Sequence, residues 1–333
     1  MISYNYKDAS KLYGNTAEVR IASKADELRF NENGCRITEH RIIDGITLVF
    51  QDIHEETLDY SDNSPVFPDN LIAIQHCREG RFEGVYPNGE HIYMGPGRLS
   101  VNLPNLSPVS NSFPLKHYYG FYIAVIPDIA NVSIKKLEQI LGPLKIDFGN
   151  ILEYMDVKNK LAFYPTDDRI DHLINHIYPS GESFNEEQLG LHVLEFLQIL
   201  SSKKPFSPDP KYYISPDQAR TIKEIKEYLT SNLDKHISLA ELSAKFHISL
   251  TAMKSSFKEV YGQPIGKYIR NYRMQASAEL LISTKMRIID IACTVGYTNA
   301  SKFSEAFSEY YGTSPREYRK YFCLPGASDD IQE

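Results

Sequence analysis

The chain has 333 residues, of which 24% are charged and 42% hydrophobic, and its formal net charge is −7. This length suffices for two domains of ordinary size, each with its own core. The N-terminal residues include no apolar stretch typical of a signal peptide, and no segment has the apolar length that crosses a bilayer. We therefore expect a soluble, cytoplasmic protein without a membrane partner.

The cysteines give no indication of cross-linking or metal binding. The chain contains four of them, Cys35, Cys77, Cys293 and Cys323. They are widely separated and include no C-x-x-C spacing, so we expect neither a disulfide framework nor a cysteine zinc site. This cysteine usage is compatible with a reducing compartment.

Charge is distributed unevenly along the chain. Residues 218–320 contain 16 Lys and Arg against 10 Asp and Glu, a net charge of +6, and the rest of the chain carries −13. An acidic body joined to a basic C-terminal module is expected when only one part of a protein contacts a polyanion.

Turn signals and periodicity predict an α+β protein. In residues 1–130, Asn-Gly, Asp-Gly and Gly-Pro-Gly separate short apolar runs, and Leu99, Val101 and Leu103 alternate with polar residues as on a half-buried strand. An antiparallel barrel or sandwich is the expected architecture there. Residues 131–205 have helical periodicity. Residues 206–217 read as a proline-containing linker between a domain at 1–205 and one at 218–320, with a tail at 321–333.

One helical stripe in the N-terminal domain has two interpretations. Its apolar members are Leu189, Val193, Phe196, Leu197 and Leu200. They could pack into the core of their own chain, or they could form a subunit interface. The sequence leaves both interpretations open.

The C-terminal part contains nearly the same sequence motif twice, called the repeated phrase below. The repeated positions are Phe257, Tyr261, Gly262 and Tyr268, and then Phe307, Tyr311, Gly312 and Tyr318. The first phrase ends a unit with a short helix at 238–245, a turn at 247–249 and a longer helix to 261. The second follows a short helix at 288–292, a turn at 296–299 and a helix over 300–311. Short helix, tight turn and longer helix make a helix-turn-helix, so two such units are predicted.

Capping signals support these helix starts. The segments beginning at Ser215 and Ser238 have the form of capping boxes, the first with proline at the first helical position. Arg287 occupies the place of Ser238 in the second copy and is a poor helix cap. The offset between the copies is 49 residues before the turn and 50 after it, so the second turn is one residue longer.

The segment between the two units predicts a rigid connector. Residues 265–282 contain regularly spaced apolar side chains and no proline. A helix of this length spans about 27 Å, and successive major-groove faces on one side of B-DNA lie about 34 Å apart. Such a connector could present two recognition helices to one face of a duplex, and we expect the repeat to exist for this reason.

Residues 218–320 resemble the DNA-binding domain of the AraC/XylS family of bacterial transcription regulators. The stretch "IIDIACTVGYTNASKFSEAFSEYYGTSPREYRK" above all carries the resemblance. It has the family spacing at Ala292, Gly296, Tyr297, Ser301, Phe303, Phe307, Gly312, Pro315 and Tyr318. The resemblance implies a sequence-specific regulator of transcription, and an activator rather than a repressor. It also implies double-stranded DNA, RNA polymerase and a second copy of the chain as partners.

The family places the exposed faces of the two longer helices in adjacent major grooves. By position, the base-contact candidates are Leu250, Thr251, Lys254 and Ser255 in the first helix, and Asn299, Ala300, Ser301, Ser304 and Glu305 in the second. The candidates for phosphate contacts are Lys258, Lys267, Arg270, Lys302 and Arg316. Lys254 suits guanine and Glu305 suits cytosine N4. For each residue the alternative is an ordinary solvated helix face.

Four residues depart from the family pattern. His247 stands where the first turn often has glycine, Ser308 replaces a common lysine, Arg287 takes the capping position, and Glu305 brings negative charge toward DNA. The second unit is therefore weakly basic. We expect a modest affinity for an isolated monomer, with dimerisation compensating by joining two half-sites.

For residues 1–205 the resemblance implies a domain that senses a small molecule, with a cupin-like barrel as the expected fold. Two histidines and several tyrosines of the strand-rich part could line its pocket. These candidates are His76, Tyr86, His91, Tyr93, Tyr118, Tyr119 and Tyr122. The alternative for each tyrosine is a core position with a satisfied hydroxyl.

Two alternative functions are a metal-dependent enzyme and a ligand-independent regulator. A metal-dependent cupin enzyme would need an H-x-H ligand pair, which the sequence lacks, and the nearest cluster, His54-Glu55-Glu56, suits a solvated loop. No nucleophile elbow or Walker loop occurs either. We expect no enzymatic activity, metal or cofactor. The remaining alternative is a ligand-independent regulator whose acidic N-terminal half binds a partner protein.

Overall fold

A computed structural model describes residues 17–21, 25–30, 35–57, 68, 70–86, 89–103, 108–154, 163–179, 185–203 and 213–322. The chain divides into two compact units, Met1–Ser215 and Pro216–Glu333. Most of the predicted linker, residues 206–212, lies outside the described residues, as do residues 323–333 of the predicted tail and Cys323 with them.

The strands of the N-terminal unit are all antiparallel to their neighbours. They are β1 (Ala17–Ile21), β2 (Ala25–Phe30), β3 (Cys35–Ile43), β4 (Ile46–Ile53), β5 (Ile72–Gly80), β6 (Phe82–Val85), β7 (His91–Met94), β8 (Arg98–Asn102), β9 (Ser110–Ser112), β10 (Tyr118–Val125), β11 (Phe163–Pro165) and β12 (Tyr213–Ile214). An eight-stranded sheet has the order β1-β2-β3-β4-β10-β5-β8-β11, and a four-stranded sheet has the order β12-β7-β6-β9.

Among the described residues, four helices follow β10 in this unit. They are α1 (Pro127–Leu141), α2 (Phe148–Tyr154), α3 (Asp168–Ile177) and α4 (Glu186–Ser201). The apolar stripe of α4 lies in the same core cluster as β4, β5 and β10, and each of its members Leu189, Val193, Phe196, Leu197 and Leu200 is buried. The structure therefore agrees with the first interpretation of this stripe, a place in the core of its own chain.

The eight-stranded sheet buries both of its faces. On β4, Leu48 and Phe50 pack in the cluster that includes α1 to α4. Val49, between them in sequence, packs in a second cluster with Phe82 and Ile92 of the four-stranded sheet. Because successive side chains of a strand point to opposite faces, the helices cover one face of the large sheet and the small sheet covers the other.

The described strands do not close into a barrel. Strands β1 and β11 are the two ends of the large sheet, and the small sheet forms a separate set of hydrogen-bonded neighbours. The predicted α+β composition is confirmed, with a β-rich N-terminal part and a helical C-terminal domain. The cupin-like barrel is not confirmed, because this sheet buries its second face under helices and leaves its ends open.

The C-terminal unit is helical. Its helices are α5 (Pro216–Thr230), α6 (Leu239–Lys245), α7 (Leu250–Tyr261), α8 (Ile265–Ser283), α9 (Ile288–Thr294), α10 (Ala300–Tyr311) and α11 (Pro315–Phe322). The pairs α6–α7 and α9–α10 are the two predicted helix-turn-helix units, and α8 is the predicted connector. Among the described helices of the chain, none is both long and apolar enough to cross a bilayer.

The repeated phrase builds the same aromatic cluster in each unit. Phe257 lies 4.7 Å from Tyr261 and 5.4 Å from Tyr268, measured between ring centroids. The second copy repeats this arrangement, with Phe307 lying 4.7 Å from Tyr311 and 5.3 Å from Tyr318. The repeated aromatic residues therefore hold each long helix against the helix that follows it. They stabilise the two units rather than contact a partner themselves.

The longer helix of each helix-turn-helix unit, α7 or α10, ends on a glycine in the left-handed conformation. Gly262 has φ +75° and follows α7, while Gly312 has φ +72° and follows α10. The amide of each glycine donates to a carbonyl of the preceding turn, on Lys258 and Ser308 respectively. Glycine adopts this conformation without steric penalty, which explains its place in the repeated phrase.

The two short helices begin differently. At the start of α6, the Glu241 amide donates to Ser238 Oγ at 3.2 Å and the Ser238 amide donates to Glu241 Oε2 at 2.7 Å. This capping box confirms the prediction for Ser238. Arg287 makes no side-chain cap at the start of α9, also as expected. Its Nε donates to Asp290 Oδ2 at 2.8 Å, so an exposed ion pair takes the place of the box.

Candidate functional site

The exposed face of α7 contains all four of the base-contact candidates from the first unit, Leu250, Thr251, Lys254 and Ser255. Met253 and Phe257 on the opposite face are fully buried, so the core fixes the orientation of the helix. The side chain of Leu250 is 42% exposed at the first turn. An exposed apolar residue there suits contact with a thymine methyl group.

On α10, Asn299 is the N-cap residue. Its Oδ1 accepts hydrogen bonds from the amides of Ser301 at 2.8 Å and Lys302 at 3.1 Å. The side-chain amide nitrogen is then the part of Asn299 that can donate to a base. Ser301 and Glu305 are exposed, whereas the other two candidates on this helix, Ala300 and Ser304, are half-buried.

The phosphate-contact candidates are all exposed, and Arg270 among them has an ion-pair partner within the domain. Arg270 of α8 forms an ion pair with Glu309 of α10. The other candidates are Lys258, Lys267, Lys302 and Arg316. A phosphate that contacted Arg270 would compete with Glu309.

Charge is unequal between the two long helices. Helix α7 carries Lys254 and Lys258 on exposed positions with the half-buried Glu259, and α10 carries Lys302, Glu305 and Glu309, all exposed. Attraction to the phosphate backbone depends on such cationic side chains. The first unit therefore has the stronger electrostatic attraction for DNA.

Sequence reasoning missed a residue that joins the two units. Arg273 of α8 donates from Nη2 to the carbonyl oxygens of Leu233 at 2.8 Å and Lys235 at 3.0 Å, both in the loop between α5 and α6. Its guanidinium also lies 6.0 Å from the ring centroid of Tyr297, in the second turn. Burial lowers the pKa of Arg273. A single arginine on a helix gives no sequence signal for this role.

The turn of the second unit packs tightly against the loop between α5 and α6. Gly296 has φ +83°, and a Cβ built on it would lie 2.2 Å from the Leu233 carbonyl oxygen. His247, the equivalent residue of the first unit, also has a positive φ, +51°. The loop between α5 and α6 thus contacts both the turn of the second unit and, through Arg273, the connector α8.

At the far end of α8, an arginine of the last helix fixes the connection to α9. Arg319 donates from Nε to the Leu281 carbonyl at 3.2 Å and from Nη2 to the Met286 carbonyl at 2.6 Å. The loop after the connector is thus tied to α11, which also packs on α10 through Tyr318 and Tyr311.

The residues predicted to line an effector pocket lie in three separate places. His91 and Tyr93 bond to Glu83, a buried carboxylate, with distances of 2.7 Å from His91 Nδ1 and 2.6 Å from the Tyr93 hydroxyl to Oε1. Ser112 donates to Oε2 of the same carboxylate at 2.6 Å. Since charge-assisted hydrogen bonds already hold Glu83, this group has the character of an internal network.

Three of the tyrosines belong to the core between the sheets. Tyr86 and Tyr118 are buried in that cluster, and the half-buried Tyr122 packs against it. Burial raises the pKa of the Tyr118 phenol well above its usual range. These positions match the alternative stated for them, core tyrosines.

The third place borders a cavity of about 240 Å³. Its lining comes from β5, the turn before β8, and α3 with the residue after it: His76, Arg78, Gly97, Asp171, Ile174, Asn175 and Tyr178. Of the predicted pocket residues, His76 lines this cavity. Tyr119 lies next to it, with its ring centroid 5.3 Å from that of Tyr178.

Tyr178 is the centre of this third group. Its hydroxyl lies 2.9 Å from Nδ1 of His76, and the guanidinium carbon of Arg78 lies 4.7 Å from its ring centroid. Burial, and secondarily the charge of Arg78, lowers the pKa of His76 to about 4, so this imidazole is neutral at pH 7. Tyr178 is 102 residues from His76 in sequence, which explains why sequence reasoning missed it.

Histidine side chains are common metal ligands, so their arrangement bears on metal binding. Within the part of the chain that the structure describes, no group of three or more His, Cys, Asp or Glu residues is arranged to hold a metal ion. In the nearest sequence cluster, His54 Nε2 lies 3.1 Å from Asp52 Oδ1 and its ring stacks on that of His117.

Comparison with known proteins places the C-terminal unit among regulators. A family model described as a helix-turn-helix domain matches residues 242–321. The F1 operon positive regulatory protein of Yersinia pestis is 36% identical over 100 residues, which cover 30% of this chain and 33% of that protein. The chain therefore spans about a third of the length of that relative.

A shorter relative is matched over most of its length. The HTH-type transcriptional activator AarP of Providencia stuartii is 30% identical over 118 residues, covering 35% of this chain and 86% of AarP. Among solved structures, the C-terminal domain of AraT from Geobacillus stearothermophilus is 26% identical, covers 33% of this chain and 93% of that chain, and gives a TM-score of 0.31. With the paired helix-turn-helix units, the family model and the match to AarP show that the chain belongs to the AraC/XylS family of transcriptional regulators.

Proposed function

We propose that this protein is a sequence-specific, DNA-binding activator of transcription that reads two adjacent major-groove segments with α7 and α10. The observation that carries the proposal is the connection of the two units through one helix, α8. The connector α8 has 19 residues, which correspond to about 28 Å of helix. Arg273 on this connector contacts the loop before α6 and lies beside Tyr297 of the second turn.

In this proposal, sequence is read by the exposed faces of the long helices. The base-reading set is Leu250, Thr251, Lys254 and Ser255 on α7, and Asn299, Ala300, Ser301, Ser304 and Glu305 on α10. Lys258, Lys267, Lys302 and Arg316 contact phosphates, with Arg270 joining them when it leaves Glu309. The exposure of these side chains supports the assignment, except that Ala300 and Ser304 are partly covered.

The proposal assigns effector sensing to the N-terminal unit. Its facing antiparallel sheets suit a cupin-like sensor, and the cavity beside His76 gives it a place for a small molecule. Effector binding shifts the population of a homodimer between arrangements that differ in DNA affinity and in contact with RNA polymerase. The protein acts in the cytoplasm, and the proposed activation is supported by the similarity to AarP, a transcriptional activator.

The test is selection of bound sequences from a random duplex pool with the full-length protein. We expect enrichment of a motif with two half-sites about one helical turn apart. Enrichment of a single short half-site would contradict the double-groove proposal. An affinity without sequence preference would contradict specific regulation altogether.

A second candidate function has one observation in its favour. Helix α1 carries large apolar side chains that are exposed, with Val132 at 54%, Ile140 at 80% and Leu141 at 61%. Exposed apolar groups of this kind mark contact sites for proteins, so a ligand-independent regulator that binds a partner protein through this unit is the alternative. Replacing Val132 and Ile140 by serine should abolish activation in cells without changing DNA affinity. Unchanged activation would exclude this candidate.

A further inference from the structure

The cavity of the N-terminal unit is lined by a cationic side chain, Arg78, with one donor that lacks an acceptor. Arg78 packs over the ring of Tyr178, with its guanidinium carbon 4.7 Å from the ring centroid. Its Nη1 is buried and has no hydrogen-bond partner among the described residues. Leaving a buried charged donor unpaired is unfavourable, so this position favours an incoming anion.

A carboxylate is the anion that fits a guanidinium best. The two oxygens of a carboxylate accept two parallel hydrogen bonds from the planar guanidinium, and the stacked ring of Tyr178 restricts the orientation of that plane. The other basic side chain of the cavity does not compete for the ligand. Burial lowers the pKa of His76 to about 4, so its imidazole is neutral, and its Nδ1 is already within 2.9 Å of the Tyr178 hydroxyl.

The opposite charge in the lining limits the ligand to one carboxylate. Asp171 and Asn175 of α3 lie one helical turn apart and both line the cavity. A ligand with a second carboxylate would meet the like charge of Asp171, whereas an amino or hydroxyl group could donate to it. The lining therefore selects against dicarboxylates.

The volume suits a small metabolite. At about 240 Å³ the cavity is smaller than the range of about 300–1,000 Å³ that is typical for drug-sized ligands. Ile174 and Tyr178 supply apolar surface for a short carbon chain. A hydroxy acid or an amino acid has the right size and groups.

We propose that this cavity is the effector site, and that it binds a small metabolite with one carboxylate, held by Arg78, and an amino or hydroxyl group that donates to Asp171. The role as an effector site rests on the proposed function as a regulator. The binding itself does not, since it requires only the N-terminal unit. Ligand binding and its effect on DNA affinity can therefore be measured separately.

The experiment is calorimetric titration of the full-length protein, without DNA, against lactate, alanine and serine. Their amides, lactamide, alaninamide and serinamide, serve as matched probes without the carboxylate. We expect saturable binding of at least one acid and no binding of its amide. Arg78→Gln should weaken that binding at least about tenfold, because a charge-assisted hydrogen bond is lost. Arg41→Gln, which removes an exposed arginine of β3, should leave it unchanged.

A second variant keeps the test valid if Arg78→Gln does not fold. Asp171→Asn changes an exposed residue of α3 and removes the negative charge, so succinate should bind this variant more tightly than it binds the wild type. The proposal is overturned if no acid binds, if acids and amides bind alike, or if both variants keep the wild-type preferences. If an acid binds but leaves affinity for the selected duplex unchanged, the site stands and its role as effector site is wrong.

Discussion

Arg273 Nη2 donates to the Leu233 carbonyl oxygen at 2.8 Å, and this bond links the connector helix to the loop that precedes the first helix-turn-helix unit. The same loop carbonyl is the atom closest to a Cβ built on Gly296, in the turn of the second unit. The turn of the second unit and the loop before the first unit thus meet beside the middle of α8. This connection is the physical basis that we propose for reading two groove segments at once.

Arg273→Ala should reduce affinity for a duplex with both half-sites at least about tenfold, because loss of these hydrogen bonds frees the two units to move relative to each other. Affinity for a duplex with one half-site should change little. Fluorescence anisotropy with both duplexes measures the difference. Lys285→Ala, which removes one exposed positive charge in the same domain, is the control. Equal losses on both duplexes would show that Arg273 acts through general charge or folding.

Gly296→Ala should destabilise the protein more than Gly312→Ala. Both glycines have a positive φ, so alanine at either position loses roughly 1–2 kcal/mol from backbone strain. At Gly312 a Cβ would meet nothing within 4 Å, whereas at Gly296 it would lie 2.2 Å from the Leu233 oxygen. Urea unfolding monitored by circular dichroism measures both losses. Similar losses for the two variants would mean that the contact at Gly296 relaxes freely.

Lys254→Ala should weaken binding to the selected duplex more than binding to unrelated DNA, with a loss of about 1–3 kcal/mol on the selected duplex if the lysine reads a guanine. Lys258→Ala, one turn further along the same helix, should weaken both by similar amounts because a phosphate contact is independent of sequence. Competition titrations with both kinds of duplex measure the ratio. Equal losses for Lys254→Ala would remove it from the base-reading set.

The stability of the N-terminal unit should depend on pH through His76. The pKa of this imidazole is lowered to about 4 in the folded protein, so the unfolded chain binds its proton more readily. The contribution of neutral His76 to the free energy of unfolding is fully present above about pH 6.5 and is lost as pH falls toward about 4. The total loss is at most about 3 kcal/mol. Unfolding at a series of pH values should show a steeper decline for the wild type than for His76→Gln. His192, whose pKa is also lowered, contributes alike to both. Parallel curves would contradict the buried, neutral state of His76.

Local patterns predicted the C-terminal unit well. The aromatic repeat, the capping box at Ser238 and the helix ends at Gly262 and Gly312 each depend on residues within about a dozen positions of one another. Interactions over such short sequence separations can be predicted from local patterns. The role of Arg273 could not be predicted, because its partner Leu233 is 40 residues away.

The N-terminal unit was harder to predict because its contacts are distant in sequence. Strand β10 pairs with β4 and β5, and the cavity joins His76 to Tyr178 across 102 residues. Alternation along strands predicted which residues are buried but not which layer covers them. One signal was overlooked: Arg78 follows His76 by two positions on β5, and residues so spaced lie on the same face of a strand.

The most direct test of the central claim is to change the spacing between the two half-sites of the selected duplex and measure affinity at several salt concentrations. The account predicts a large loss of affinity when about half a helical turn of DNA is inserted, and no recovery when about a full turn is inserted. A rigid α8 cannot reach a half-site moved that far along the duplex. The salt dependence should weaken together with the affinity, because fewer phosphates are contacted. Full affinity with either insertion would show that the two units do not bind one duplex as a fixed pair, and would contradict the account.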